Sequence, residues 1–244
     1  MQLATRSARL TVWFNAWRCG HVALDTAPGE VIGDDAGHDV TGLDPEPLPL
    51  LLAFGRLRTV GADLATLALP MPGDLSGLAG PPRLNEAAIE AGEAVVFGSA
   101  GLALVPTLVG RGVFWHAHEA RPARMDHSLG DAERLLREAL VVAADRLTDL
   151  DLARWRPEVS ETLALVREPT EPLLPPGYSP RAGRMAALAE RCRLLVDTAL
   201  DDEASHLDQA RADERRRLLL DLERSARQAM VTACTHGTSS IAQA

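Results

Sequence analysis

The spacing of hydrophobic residues near the amino terminus predicts two helices separated by a loop. Apolar side chains recur every three or four positions in residues 8–19, and again in residues 47–60, where Gly61 ends the pattern. Residues 21–46 are rich in Gly, Pro and Asp, which predicts a loop with room for one short helical turn.

Short apolar runs farther along the chain predict a small sheet. Residues 64–69 form one run bounded by glycine and proline, as is typical of a buried strand. Three more runs, at residues 94–97, 102–109 and 113–118, are joined by glycine-bearing links of hairpin length. They predict an antiparallel meander.

A short helix is predicted before this meander, over residues 86–91. Asn85 stands where an N-cap residue would accept a backbone hydrogen bond, and Gly92 stands where a helix commonly ends. Residues 70–82, which precede the helix, are rich in Gly and Pro and predict a loop.

The second half of the chain has the periodicity of amphipathic helices. A capping pattern at Ser128 and Asp131 precedes the first of them. Four helices are predicted, over residues 131–150, 157–167, 180–199 and 205–233. The apolar stripes of the last two face each other across a short link, which predicts an antiparallel helical hairpin.

Together these elements predict an α+β fold. A mixed or antiparallel sheet with flanking helices occupies the N-terminal part, and a mainly α-helical C-terminal part follows it. We expect an α+β domain over residues 1–127, a helical region over 128–236 packed on or beside it, and a flexible tail over 237–244.

Composition and charge exclude several function classes. The 244-residue chain has 25 Lys+Arg against 34 Asp+Glu, a net charge of -9, and no lysine. An acidic chain lacks the surplus cations that bind nucleic acid, and the absence of lysine excludes P-loop nucleotide binding and pyridoxal phosphate chemistry. No apolar run reaches the ~20 residues that cross a bilayer, so we expect neither a nucleic-acid partner nor a membrane span.

The cysteines indicate a reducing compartment. Cys19, Cys192 and Cys234 are odd in number, lie far apart and form no C-x-x-C motif. The apolar stretch near the amino terminus is interrupted by Asn15 and Arg18 and is followed by no small-residue cleavage site. We therefore expect a cytoplasmic protein.

Two histidines on one predicted strand are the strongest candidates for metal ligands. His116 and His118 are two residues apart, and alternate residues of a strand project from the same face. Asp126 or His127 could return through a turn as a third ligand, leaving one position for a substrate. The competing interpretation is a half-solvated strand face. No strong motif requires a cofactor, and a divalent metal is the one that these residues suggest.

The glycine-rich loop before the short helix is a candidate anion site. Free backbone N–H groups at a helix N-terminus bind anions, and Gly allows a close approach of the backbone. The plainer interpretation is a structural turn, because two prolines remove donors and an aspartate repels anions. The candidate ligand-binding residues are Gly73, Asp74, Ser76, Gly77, Gly80, Arg83 and Asn85.

The arginines of the last helix alternate with acidic residues. Glu223 and Arg227 stand four apart in the favourable order, as do Asp213 and Arg217. The first half of this helix lacks a continuous apolar stripe. The alternating charges predict a solvated helix face, and the first half of the helix is expected either to project from the body or to dock on a partner.

One segment resembles known sequences. It contains Gly-Asp-Leu-Ser-Gly-Leu-Ala-Gly-Pro-Pro from Gly73, then Asn85, and Ala-Gly-Glu-Ala-Val from Ala91. The segment from Gly73 to Val96 is similar to one found in an uncharacterised family of actinobacterial proteins, whose GC-rich genomes favour Arg over Lys. The resemblance implies no activity and no site residue.

We therefore expect a binding or regulatory protein that is not an enzyme. It would act through protein–protein contacts of its helical half, with another protein or by self-association. The alternative is a small hydrolase-like enzyme that uses a metal at His116 and His118 or an anion at the loop from Gly73 to Pro82.

Overall fold

The structure, a computed structural model, describes residues 3–122, 127–150, 173–201 and 209–236. Its N-terminal elements are α1 (Arg6–Arg18), α2 (Ala27–Ile32), β1 (Gly37–Thr41), β2 (Leu48–Pro49), α3 (Leu50–Thr59), β3 (Thr66–Ala68), α4 (Pro82–Ala91), β4 (Ala94–Phe97), β5 (Leu102–Val109) and β6 (Gly112–Glu119). The C-terminal helices are α5 (Leu129–Leu150), α6 (Pro180–Asp201) and α7 (Gln209–His236). The α+β class is confirmed.

The six strands form one mixed sheet in the order β2-β1-β6-β5-β4-β3. Within the run from β3 to β6, each strand pairs antiparallel with the next, which confirms the predicted meander. Strand β1 pairs parallel with β6, and the short β2 pairs antiparallel with β1 at the edge. The sheet is therefore larger than the sequence predicts, because β1 and β2 lie in stretches predicted to be loop and helix.

The hydrophobic pattern of the sequence does not predict strand β1, because a histidine occupies one of the core positions of this strand. Val40 and His38 are both buried and alternate with half-buried residues. A polar side chain can lie in a core when its donors and acceptors are paired, and His38 contacts Asp35 and Trp115. A strand with one apolar core residue and one histidine has no clear apolar alternation.

Helices cover the two faces of the sheet unequally. On one face α1 and α3 pack against the strands through an aromatic cluster, in which the Phe14 ring lies 5.0 Å from Phe97 and 5.1 Å from Phe54. On the other face α4 packs Leu84 and Ala88 against β4 and β5. His116 and Thr107 remain exposed beside α4.

The C-terminal helices share a hydrophobic core with the N-terminal part. Tyr178, just before α6, donates its hydroxyl hydrogen to the Cys234 carbonyl near the end of α7, so α6 and α7 run antiparallel. This arrangement confirms the predicted helical hairpin. Val12 of α1 and Leu67 of β3 lie in one apolar cluster with Leu222 of α7. The predicted helix over 157–167 and the predicted tail over 237–244 lie outside the described residues.

Helix α4 begins earlier than the sequence predicts. Its first residue is Pro82 and its N-cap is Pro81, so the assignment of Asn85 as N-cap is wrong. Proline suits the first turn because its fixed φ is helical and its missing N–H would have no helical partner there. The predicted end at Gly92 is confirmed, with φ of 73°.

None of the helices in the described ranges is long and apolar enough to cross a membrane.

Candidate functional site

His116 and His118 lie on the face of the sheet that carries α4. The β5–β6 ladder pairs His116 with Val105 and His118 with Ala103, and these two partners belong to the core beneath α4. Side chains two residues apart share one face of a strand, and both imidazoles line one groove. The sequence-based expectation that the two histidines point the same way is therefore met.

The groove lies between the end of α4 and strands β5 and β6, and we name it the His116–His118 groove. Its volume is about 640 Å³, within the ~300–1,000 Å³ that small-molecule sites occupy. Its lining residues are Arg6, Ala87, Glu90, Ala91, Glu93, Val105, Pro106, Thr107, Leu108, His116 and His118.

The two imidazoles have different surroundings. His116 Nδ1 lies 3.0 Å from the Thr41 hydroxyl oxygen, so a hydrogen bond orients this exposed ring. The His118 ring is partly buried and has no side-chain hydrogen-bond partner among the described residues. Burial lowers the pKa of His118, and the nearby His116 lowers it further. His118 is therefore neutral at neutral pH, with a ring nitrogen free to accept a hydrogen bond.

Glu93 lies where the groove meets the start of α1. Its Oε2 accepts the Ser7 backbone N–H at 2.6 Å, so the carboxylate satisfies one of the free donors in the first turn of that helix. Burial raises the pKa of Glu93, while the Ser7 hydrogen bonds and the Arg6 charge oppose the rise. Its carboxyl group is thus held by the start of α1.

Arg6 lies at the same end of the groove and is held by Asp35. Its Nε and Nη2 atoms donate to the two carboxylate oxygens of Asp35, at 2.9 and 2.7 Å. This interaction holds the pKa of Asp35 well below its usual range, with smaller contributions from His38 and Arg9. Arg9 Nη2 also donates to Asp35, at 3.0 Å.

The His38 imidazole extends this network into the sheet. Its Nε2 lies 3.0 Å from Asp35, and Trp115 Nε1 donates to its Nδ1 at 3.3 Å. Because Nδ1 accepts, the proton of His38 is on Nε2. Burial lowers the pKa of His38 and keeps the ring neutral. The first turn of α1 is therefore tied to β1 and β6, which positions Arg6 beside the groove.

Of the remaining residues of the metal hypothesis, the structure describes only His127, and it does not bring His127 to the groove. Asp126 lies outside the described residues. Within residues 3–122, 127–150, 173–201 and 209–236, no group of three or more His, Cys, Asp or Glu side chains is placed to hold a metal ion. A third ligand for His116 and His118 is therefore not supplied by this part of the chain.

The loop from Gly73 to Pro82 contacts the last helix. Asp74 Oδ1 accepts the Ser76 hydroxyl at 2.7 Å and the Ser76 N–H at 3.1 Å. Asp74 Oδ2 accepts from Arg227 Nη2 of α7 at 3.0 Å. The Asp74 and Ser76 side chains are thus engaged within the protein.

Gly77 shows why this loop needs glycine. Its φ is +87°, and a Cβ atom there would collide with the Leu67 carbonyl oxygen and lie 2.7 Å from the Ala68 Cα. The loop backbone therefore lies directly against β3. Gly73 and Gly80 also have positive φ but have open space around them, and Arg83 is exposed on α4. Gly73, Gly77, Gly80 and Arg83 are not among the residues that line the His116–His118 groove.

Sequence reasoning missed Arg6, Glu90 and Glu93. Arg6 and Glu93 are 87 positions apart in the sequence, and only the packing of α1 against the sheet brings them together. The sequence signal that could have pointed to this part of the groove is the pair Glu90 and Glu93, three residues apart at the end of the predicted helix.

Both halves of the chain match models of one protein family. Residues 7–128 match the model of the Rv1486c-like protein, N-terminal domain, and residues 130–231 match that of the C-terminal domain. The chain is similar to the uncharacterized protein Rv1486c of Mycobacterium tuberculosis, with 30% identity over 94% of this chain and 97% of the relative.

Two other mycobacterial proteins are similar to the chain. The uncharacterized protein ML1804 of Mycobacterium leprae is 28% identical over 94% of this chain and 97% of its own length. The uncharacterized protein MAV321 of Mycobacterium avium is 28% identical over 66% of this chain and 67% of its own. No solved structure matches the chain.

Proposed function

The chain belongs to the Rv1486c-like protein family, and from that premise we propose that it is a binding protein whose site is the His116–His118 groove. Membership confirms the resemblance of the Gly73–Val96 segment to an actinobacterial family. The names of the relatives state no activity, so the chemistry of the groove carries the proposal. The ligand is a small polar molecule that contacts both imidazoles.

The observation that supports this proposal most is the gathering of perturbed ionisable groups in one cavity. The pKa of Glu93 is raised and the pKa of His118 is lowered, in both cases chiefly by burial, and both side chains line the same groove. Groups with shifted pKa values in a cleft are characteristic of functional sites. The apolar side chains of Val105 and Leu108 add a surface for the non-polar part of a ligand.

A fragment screen tests this proposal. The full chain is screened for thermal stabilisation by fragment-sized polar molecules, and each hit is repeated on the double variant H116A/H118A. The control is H236A, which removes an exposed histidine at the end of α7, away from the groove. We expect hits that stabilise wild type and H236A but not the double variant. Hits that act equally on all three proteins, or a screen without hits, would refute the groove as a binding site.

We also propose a second function, self-association through α5 of the helical half. The neighbouring Val141 and Val142 are 59% and 54% exposed. They line a surface groove of about 610 Å³ together with charged side chains of the same helix. Two such valines side by side on a helix favour burial against another molecule.

The charges of α5 favour a second copy as the occupant. Arg134 pairs with Glu138 at 3.0 Å, four residues apart along the helix. In an antiparallel pair of α5 helices, the register that sets each Arg134 opposite the partner's Glu138 places Val141 and Val142 against the first turn of the partner's α5. The same surface is therefore complementary to itself, as a two-fold interface requires.

Sedimentation velocity over a range of concentrations tests the second function. We expect wild type to form a dimer that V141E dissociates, because a charge buried at this apolar part of the interface is costly. The control L194E places the same charge on the exposed Leu194 of α6 and should leave the dimer intact. Wild type that is monomeric at every concentration would exclude this interface.

A further inference from the structure

We propose that the His116–His118 groove selects an organic cation, an alkyl ammonium compound whose charged group lies against Glu90 at the end of α4. The inference rests on the proposed function and adds to it the chemical class of the ligand. It follows from the charges that surround the groove, from the end of α4 and from the state of the imidazoles.

The carboxylate of Glu90 has no partner within the described part of the chain. It is exposed at the groove, with neither a hydrogen bond nor an ion pair to a described residue. Glu93, three residues later, is more buried and is engaged by the start of α1, where its Oε2 accepts the Ser7 N–H and the Arg6 charge acts on it. Glu90 is therefore the carboxylate of the groove that is left for a ligand cation, with about four acceptor positions.

The end of α4 adds negative potential to the same wall. Glu90 and Ala91 are its last residues, and both line the groove. The last carbonyl groups of a helix lack helical donors, and the helix dipole places partial negative charge there. The last turn of α4 contains no basic side chain that would offset this charge. A ligand cation is the partner that this helix end lacks.

The groove's own cation is engaged by acidic groups of the protein. Among the described residues that line the groove, Arg6 is the one arginine, and both carboxylate oxygens of Asp35 accept hydrogen bonds from it. The Arg6 charge also acts on Glu93, where it opposes the rise in pKa. The exposed Glu90 would repel a phosphate or carboxylate that approached the groove.

The imidazoles favour a ligand that donates hydrogen bonds. His118 is neutral at neutral pH because its pKa is lowered by burial, so it adds no positive charge. Its ring can accept an N–H, as the two carboxylates can. The apolar sides of Val105, Leu108 and Ala87 can contact a short hydrocarbon stem. A groove of acceptors with an apolar floor fits an alkyl amine.

Three probes with the same four-carbon stem distinguish the effect of ligand charge on binding from the effect of ligand shape. They are 1,4-diaminobutane, 1,4-butanediol and succinate, which carry positive, neutral and negative ends at pH 7.5. Calorimetric titration of the full chain should give saturable binding of the diamine, at least about fivefold tighter than the diol, and no binding of succinate. Raising the salt concentration should weaken diamine binding because the carboxylates are near solvent.

A matched pair of variants tests whether Glu90 is the carboxylate that contacts the charged group of the ligand. E90Q should weaken diamine binding about two- to fivefold, the range of an exposed ion pair. E86Q removes a carboxylate from the same helix, four residues earlier and outside the groove, and should leave binding unchanged. Equal effects of the two substitutions would overturn the assignment.

The failures of the two proposals are distinguishable. If the diol or succinate binds as tightly as the diamine, the cation assignment is wrong. Fragments that stabilise wild type but not H116A/H118A would still support the groove as a binding site. No binding of any of the three probes would also overturn the cation assignment, and a screen without hits would then refute the proposed function as well.

Discussion

Arg227 joins the loop of residues 70–82 to the last helix through three different acceptors. Its guanidinium donates to Glu223 at 2.8 Å, to the Leu69 carbonyl at 2.7 Å and to Asp74 at 3.0 Å. The pairing with Glu223 follows from their four-residue spacing. Burial of Arg227 does not follow from the sequence, because its neighbours alternate in charge as on a solvated helix face.

Replacing Arg227 should strongly destabilise the protein. R227M keeps a similar side-chain volume but leaves Glu223 and Asp74 with an unpaired, partly buried charge, and we expect a loss of about 3 kcal/mol in the free energy of unfolding. The control R224M removes the exposed neighbour that lies 4.0 Å from Asp74 and should cost less than about 1 kcal/mol. Urea unfolding measures both, and equal losses would show that Arg227 has no special role.

The Asp35–His38 pair should make stability depend on pH. The native pKa values of both groups are lowered, so the unfolded chain binds more protons than the native protein as the medium becomes acidic. The contribution of His38 is complete above its unfolded pKa of about 6.5 and is lost as pH falls below that value. The contribution of Asp35 is lost at lower pH, below its ordinary pKa of about 3.9.

We therefore expect His38 to make the free energy of unfolding rise between pH 5 and pH 7, while Glu93, whose native pKa is raised, opposes this rise. H38Q should flatten this rise without abolishing it, since the pKa of His118 is lowered as well. H236Q, at an exposed position, should leave the slope unchanged. A slope in H38Q equal to that of wild type would contradict the assignment.

At the scale of elements, the sequence predicts those that have a regular apolar pattern. The β4–β6 meander and the long helices have such a pattern, and they lie close to the predicted positions. Strand β1 lacks it because His38 replaces an apolar residue. The start of α4 was misplaced because Asn85 resembles a cap, whereas the prolines before it already set the first turn.

The glycine-rich loop should tolerate substitution at one glycine far better than at another. G77A meets both an unfavourable φ and a collision with the backbone of β3, so we expect a loss of about 3 kcal/mol or more. G73A has nearly the same φ, +86°, but open space, so it should lose only the ~1–2 kcal/mol of the backbone conformation. Urea unfolding compares the two, and equal losses would show that the loop does not press on β3.

At the scale of the whole molecule, one hydrophobic cluster spans the sheet and the C-terminal helices. Residues of α1 and β3 share it with α5, α6 and α7. Hydrogen bonds reinforce the junction, including those from Tyr178 to Cys234 and from Arg227 to Asp74. We therefore propose that the two family domains behave as one folding unit.

Unfolding should accordingly be a single transition. In a W155F background, fluorescence reports only Trp13, Trp17 and Trp115 of the N-terminal part, while far-UV circular dichroism reports mainly the C-terminal helices. We expect the two urea curves to coincide. Curves with separate midpoints would show that the parts unfold independently.

The groove is lined by residues from elements that are far apart in the sequence, so the sequence predicts only part of it. The shared orientation of His116 and His118 follows from strand alternation alone. Arg6, Glu90 and Glu93 reach the groove only because α1 and α4 pack at one end of the sheet. The loop from Gly73 to Pro82 has the composition of an anion site, but its side chains contact α7.

The most direct test of the groove as a binding site is to observe its histidines. Imidazole nitrogen signals of a ¹⁵N-histidine-labelled full chain are followed during titration with 1,4-diaminobutane at constant pH. We predict that the signals of His116 and His118 shift together and saturate, while those of buried His38 and exposed His236 stay in place. Unchanged His116 and His118 signals would contradict the groove as a binding site. Equal shifts of the His38, His116, His118 and His236 signals would contradict it as well.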